Sequence, residues 1–130
     1  MYANAVSMAA CRANLEAVMK VKAYDHATAL AARLANCLRG TIDPLQLPWP
    51  ILQLGTRVWC CFSRAIPANS AEVIEHDIPQ LRDLQRAYLA YRGIWGCGVW
   101  AGPIVGIPAA ADDIDAYVAV CSELMHEVFH

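Results

Sequence analysis

The residues best equipped for chemistry are few and scattered. Near the C-terminal end, His126-Glu127-Val128-Phe129-His130 matches the pattern H-E-x-x-H. On a helix that spacing places two imidazoles on one face, able to hold zinc with the glutamate as general base. The usual zinc peptidase takes a third ligand from further downstream, and His130 is the last residue, where helices fray. Two histidines also suit the negative end of a helix dipole. A zinc hydrolase therefore stands behind the readings developed below. Arg57 carries a planar fork that matches a carboxylate, although an arginine at a strand start more often lies on a surface or in an interface. Lys20 and Lys22 are the only lysines, and a lysine amine is what Schiff-base chemistry requires.

The remaining candidates point to structure. Glu72, Glu75, His76 and Asp77 form a mildly acidic loop, a solvated connector rather than a carboxylate pair for acid–base work. Ser63 and Ser122 have no identifiable His/Asp arrangement, so nucleophilic catalysis has no support. Cys11, Cys37, Cys60, Cys61, Cys97 and Cys121 follow neither a zinc spacing nor a disulfide-scaffold density. Most fall at apolar positions, as buried reduced thiols would. Trp49, Trp59, Trp95 and Trp100 could line a pocket, but tryptophans in short strands are more often core or interface residues.

The elements that must position these side chains follow from periodicity and punctuation. Ser7 to about Met19 reads as a helix rich in Ala, Leu and Met, Lys20-Val21-Lys22-Ala23 as a break, and Asp25 as the cap of a second helix reaching Leu38. Leu30, Leu34, Cys37 and Leu38 give that helix one apolar face; Arg39 suits its final turn and Gly40 its stop. Pro44, Pro48 and Pro50 impose an extended connection. Residues 51–54 and 57–62 are strand candidates around Gly55-Thr56, and a loop with Pro67, Asn69 and Ser70 follows. Ile78, Leu81, Leu84, Tyr88 and Leu89 trace one face of a helix over 78–92, closed by Gly93. Residues 94–97 and 104–107 are further strand candidates, with Gly96, Gly98 and Gly102 marking turns or bulges. A last helix begins at Asp112, with the stripe Ile114, Val118, Cys121, Met125 and Val128. The sum is a single α+β domain, 1–130, with linking helices over 1–40 and a small α+β unit over 41–130.

Composition narrows the partners. Apolar residues make up 58% of the chain and charged residues 17%, against roughly 25% charged in ordinary soluble domains. A chain this small leaves much of its surface in water, so a sizeable apolar docking face is expected, toward a partner or a copy of itself. A formal charge of −2 with no basic stripe argues against nucleic acid. No apolar run approaches the ~20 residues of a membrane span, and the first twenty residues lack the build of a secretory signal. The expected address is the cytoplasm.

One ordered series of short pieces is more informative than any of these. Asn4-Ala5-Val6-Ser7-Met8-Ala9-Ala10 is followed by two helices, then Leu54-Gly55-Thr56-Arg57, Tyr91-Arg92-Gly93-Ile94, Ala101-Gly102-Pro103 and Asp112-Asp113-Ile114-Asp115-Ala116-Tyr117. In that order and separation the pieces resemble the C-terminal part of class III aminotransferases, the pyridoxal-phosphate family of the glutamate-1-semialdehyde aminomutase kind. The resemblance covers nearly the whole chain and is looser over 41–49 and around Glu72. It implies linking helices followed by an antiparallel sheet of three or four strands covered by helices, a small domain that walls the substrate pocket and shares in the dimer.

The implied activity is amino-group transfer between an amino donor and a keto acid or aldehyde. The family's cofactor lysine lies upstream of the matching segment, as do the aspartate for the pyridine nitrogen and the phosphate-binding loops. The chain alone is therefore expected to hold no cofactor and to be inactive, with a homo-oligomer or a separate cofactor-bearing large domain as partner. A non-catalytic assembly module of the same ancestry is the alternative. Carried residue by residue, the resemblance turns Arg57 toward substrate and sets Asn4 near the approach to the phosphate, or merely as a helix cap; Arg92 before Gly93 ends a helix. Two departures are visible: Asn4-Ala5 stands where the family commonly has Asn-Pro, and Ala109-Ala110-Ala111 where it often has a His-Thr or Ala-Thr pair. The second makes Asp112, with Asp115 three residues on, the expected cap of the last helix.

Overall fold

The computed structural model describes residues 4–63, 65–95 and 102–129. Helix α1 (Ala5–Ala13) opens on Asn4, whose Oδ1 accepts the Ser7 N–H at 2.8 Å. It runs into a π-helical turn (Asn14–Val18) and breaks at Met19, where ψ swings to 68°. Neither α1 nor the turn buries a single residue.

Helix α2 (Val21–Ile42) is longer than the sequence signals imply at both ends. Lys20, not Asp25, precedes its first turn, and Gly40 does not stop it. The apolar face is the reason: Ala27, Leu30, Ala31, Leu34, Ala35, Leu38 and Ile42 are all buried. A glycine inside a helix costs about 1 kcal/mol, and burying Ile42 beyond it returns about 2 kcal/mol. The helix ends where Pro44 sits in a tight turn (Asp43–Leu45) and Gln46 adopts φ 52°.

Strands β1 (Ile51–Leu54) and β2 (Arg57–Cys60) pair antiparallel, with Leu54 opposite Arg57 and Ile51 opposite Cys60. Gly55 has φ 58° and Thr56 keeps a negative φ, the pattern of a type II′ turn, which matches the twist of a hairpin. A third extended segment lies against β2. Val58 N–H donates to the Pro103 carbonyl (3.1 Å) and Val105 N–H to the Thr56 carbonyl (2.9 Å), so Arg57 and Ile104 form a bridge. The described sheet thus has two strands and one bridged segment, fewer than the three or four strands expected. Pro103 and Pro108 flank the segment and can donate no ladder bond. Of the strand expected over 94–97, Ile94 and Trp95 form none, and the rest lies outside the described residues.

The bridge also explains Gly102. Continuing its register by two residues sets Gly102 opposite Trp59. A Cβ there would stand 2.2 Å from the Val58 carbonyl oxygen and 2.3 Å from the Trp59 Cβ, and φ is 64°. Only glycine lets the two backbones approach this closely.

After the sheet, α3 (Ser70–His76) occupies what reads as an acidic loop. Asn69 Oδ1 accepts from the Ala71 and Glu72 N–H groups, and Glu72 Oε2 accepts the Ala68 N–H. This resembles a capping box built on asparagine, with the return bond from Glu72 falling one residue before the cap. Helix α4 (Pro79–Tyr91) starts on proline, and α5 (Ala111–Phe129) closes the chain. The cap of α5 departs from expectation. Asp113, third in the helix, reaches back to the Ala110 N–H (2.8 Å), while Asp115 is held by both contacts of Arg33 Nη2 (2.7 and 2.8 Å).

One core unites these elements. Leu30, Leu34 and Leu38 of α2 meet Ile51 and Val58 of the hairpin, Val105 of the bridged segment, and Ile114, Cys121 and Met125 of α5. Beyond the core, α2 is clasped to the start of α5 by Arg33–Asp115 and by His26 Nε2, which donates to the Ala109 carbonyl (3.0 Å). Arg92 joins α4 to α5 through Glu123 (2.6 Å), and the Tyr88 hydroxyl donates to Glu127 (3.0 Å). No described helix is long and apolar enough to cross a membrane.

Candidate functional site

Arg57 begins β2 immediately after the hairpin turn, and its side chain is exposed. Cross-strand partners in an antiparallel sheet point to the same face, so Leu54, Arg57 and Ile104 stand side by side at one end of the sheet. The bridge to Ile104 lies between widely spaced ladder bonds, the kind of pair whose Cα atoms approach to about 4.5 Å. Val58 and Val105, the next residues along, turn the other way into the core. The helices therefore back the inner face, and the outer face carries Arg57 between exposed apolar neighbours. Among the described residues Arg57 has no acid partner.

The other sequence candidates are spread over the molecule. Asn4 is exposed and spends its Oδ1 on the α1 cap. Lys20 and Lys22 are exposed at the junction of the π-turn and α2. Glu127 is engaged by Tyr88 and lies 4.0 Å from Arg92, and His126 is exposed; His130 lies outside the described residues. Among the described residues no group of three or more His, Cys, Asp or Glu could hold a metal ion. Asp77 of the acidic stretch is spent on an ion pair with Arg82. Ser63 is buried and its Oγ accepts from the Ala65 N–H.

The tryptophans divide. Trp49 is buried, edge-on to Phe62 (4.9 Å) and Phe129 (5.1 Å), and with Leu84 and Met125 lines a narrow, wholly apolar crevice between α4 and α5. Trp59 is half-buried, Trp95 is exposed, and Trp100 lies outside the described residues.

Burial of the thiols is less general than expected: among the described residues Cys61 and Cys121 are buried, Cys37 and Cys60 half-buried and Cys11 exposed. Cys121 is buried, with Gln85 Nε2 3.7 Å from its sulfur, and burial pushes its pKa up to about 11. Burial raises Cys60 and Tyr117 in the same way, and Cys61 by burial and the nearby Asp77 charge. A thiol held protonated at neutral pH is a poor nucleophile.

These residues do not fit pyridoxal phosphate as a covalently held group. Its chemistry needs a lysine amine directed into a pocket, and both lysines stand in water at the junction of the π-turn and α2. Among the described glycines, the space beside Gly102 is filled by β2, and Gly55 and Gly93 have no atom within 4 Å of an added Cβ.

Comparison with known proteins supplies the context. No protein-family model matches the sequence, and no curated protein matches it. A glutamate-1-semialdehyde-aminomutase from Pseudomonas aeruginosa PAO1 is similar over 96% of this chain and 28% of its own, at 28% identity and a TM-score of 0.90. A Lys-to-Ala variant of a glutamate-1-semialdehyde-aminomutase from the same organism, in complex with PMP, matches over 95% of this chain and 27% of its own, at 28% identity and 0.89. A transaminase with PLP bound shares the fold over 97% of this chain and 28% of its own, at 18% identity and 0.76. The chain spans roughly a quarter of the length of the solved structures it matches, as the C-terminal portion of such an enzyme would.

Proposed function

We propose that this chain is the C-terminal portion of a pyridoxal-phosphate-dependent aminotransferase or aminomutase of class III. Its work is to wall and cover a site whose cofactor and lysine belong to a larger portion, and alone it transfers no amino group. The observation that carries this reading is the likeness at 28% identity to so small a share of an aminomutase. The chain's own surface supports it. Val6, Met8, Leu15, Val18 and Val21 are 45–79% exposed along the opening helices, more apolar surface in one segment than a self-sufficient monomer needs. In this reading Arg57 faces substrate, while Asn4 shapes the segment that leads to the cofactor portion. The amino donor and acceptor would be an amine and a keto acid or aldehyde. The described cysteines are all free thiols, which fits a reducing compartment, and we assign the chain to the cytoplasm.

Purification of the chain from its native cell tests the proposal. A co-purifying polypeptide that carries pyridoxal phosphate on a lysine, and that loses transaminase turnover when this chain is stripped away, is the expected result. If borohydride instead traps the cofactor on Lys20 or Lys22 of the isolated chain, with turnover, the reading fails. A chain that purifies alone as a defined homo-oligomer, with no turnover, favours the assembly module.

A further inference from the structure

The pattern of arginine partners separates Arg57 from every other described arginine. Arg12 meets Glu16, Arg33 meets Asp115, Arg82 meets Asp77, Arg86 meets Asp83 and Arg92 meets Glu123. Arg39 donates to Asn36 and to the Ile51 carbonyl. Among the described residues Arg57 alone of the arginines has neither an acid partner nor a side-chain hydrogen bond, and it does not stand on a polar surface. Leu54 on one side is 75% exposed and Ile104 on the other is 55% exposed. The same face continues inward through half-buried Leu52 and Trp59.

The backbone beneath is held firmly. The hairpin turn fixes one side of Arg57, the bonds to Pro103 and Thr56 fix the other, and the close approach at Gly102 locks the segment onto β2. Such a base fixes the point from which the guanidinium reaches out, and apolar neighbours exclude water from one flank of any ion pair it makes.

We propose that this face binds a carboxylate carried on an apolar body, with the Arg57 fork taking the carboxylate and Leu54 and Ile104 covering the apolar part. This rests on the reading of the chain as a pocket wall, and it names the class of substrate that the wall would select: an amino or keto acid with an apolar portion close to its carboxylate. Charge complementarity and the flanking side chains choose this occupant. A bare inorganic anion would leave Leu54 and Ile104 in water, and a neutral apolar compound would leave the guanidinium unmatched.

The test uses the 130-residue chain and amide chemical shifts, so it needs neither cofactor nor turnover. Phenylacetate is titrated beside phenylacetamide, its neutral counterpart, and acetate, which lacks the apolar body. The expected result is a saturable, millimolar-range change at Leu54, Gly55, Arg57 and Ile104 with phenylacetate. Phenylacetamide should give none, and acetate should bind at least several-fold more weakly. Arg57→Gln should abolish the effect, and Arg57→Lys should keep the charge but weaken it by losing the fork. Each side chain here is exposed, so the variants should retain the parent spectrum elsewhere. Equal shifts with phenylacetamide, equal affinity for acetate, binding that survives Arg57→Gln, or no saturable change would each overturn the inference. None of these bears on co-purification, so the fate of the larger reading is decided separately.

Discussion

Replacing Gly102 by alanine should damage this molecule far more than the same change at Gly55, and the difference can be worked from the geometry. Both glycines have positive φ, 64° and 58°, a region that costs an alanine about 1–2 kcal/mol. Part of that is regained because alanine restricts the unfolded chain, by about 0.4–1 kcal/mol. Gly55 has nothing within 4 Å of the added Cβ, so Gly55→Ala should cost about 1 kcal/mol net. At Gly102 the new carbon would stand 2.2 Å from the Val58 carbonyl oxygen, about 1 Å inside the usual C···O contact. The third segment must move off β2 to relieve this. That motion breaks the Val58–Pro103 and Thr56–Val105 hydrogen bonds, each worth about 1 kcal/mol net, and loosens Val105 in the core. The total is at least ~3 kcal/mol.

For 130 residues the unfolding entropy is about 0.27 kcal/mol/K, so each kcal/mol moves Tm by about 4 °C. Thermal melts followed by circular dichroism, at matched concentrations, should show Gly55→Ala lower by about 4 °C and Gly102→Ala by about 12 °C or more. Equal losses, or a Gly102→Ala variant within about 2 °C of the parent, would refute the close approach of the third segment to β2.

Asn69→Ala removes the acceptor that holds two N–H groups of α3; a loss of about 1 kcal/mol and faster amide exchange over 70–76 should follow, measured by denaturant melts and hydrogen exchange. Cys121 supplies a pH dependence. Its folded pKa, about 11, lies above the unfolded value near 9, so the fold binds more protons between them and stability falls as pH rises through that window. The slope from this one thiol is at most ~1.4 kcal/mol per pH unit, and Cys121→Ala should flatten it in urea melts at pH 8.5–10.5; an unchanged slope would remove Cys121 from the account. Met8→Asp with Leu15→Asp should leave Tm within about 2 °C, since both side chains are already in water, yet reduce self-association seen by light scattering.

Much of the fold is readable along the sequence because its cause is local. The apolar faces of α2 and α5 repeat at helical spacing, and Gly55-Thr56 between apolar runs marks the hairpin. The misreadings have two sources, packing between distant segments and local signals that compete. Gly40 looks like a stop until Ile42 is seen to be buried, which depends on β1 and is invisible in sequence. Asn69 and Glu72 spell a capping box, but the acidic residues around them favour a loop reading. The bridge between Arg57 and Ile104 could not be foreseen, because register between distant segments follows from core packing rather than from either segment alone. The candidate site shares this fate: Arg57 is conspicuous as a residue type, whereas the apolar pair that flanks it exists only once the third segment is laid against β2.

The same contrast between local and borrowed order bears on α1. Its nine residues and the following five-residue π-turn fall at the edge of the ~12–15 residues an isolated helix needs to be even marginal in water. The Asn4 cap and the Arg12–Glu16 pair (2.6 Å) are its supports, worth about 1 and a few tenths of a kcal/mol respectively in typical hosts. It buries nothing, whereas α2 buries a continuous face and is clasped to α5 by Arg33 and His26. Helical stability in proteins comes chiefly from such packing. If α1 is a docking element, its order in the isolated chain must be weak and must rise when a partner covers Met8, Leu15 and Val18. Hydrogen exchange should find amides 8–18 open at nearly unfolded rates while those of 30–40 are protected by something close to the full stability of the fold. Adding the co-purifying partner should protect 8–18 and change 30–40 little. Slow exchange over 8–18 in the isolated monomer would mean that α1 is already covered, and the argument that it waits for a partner would fail.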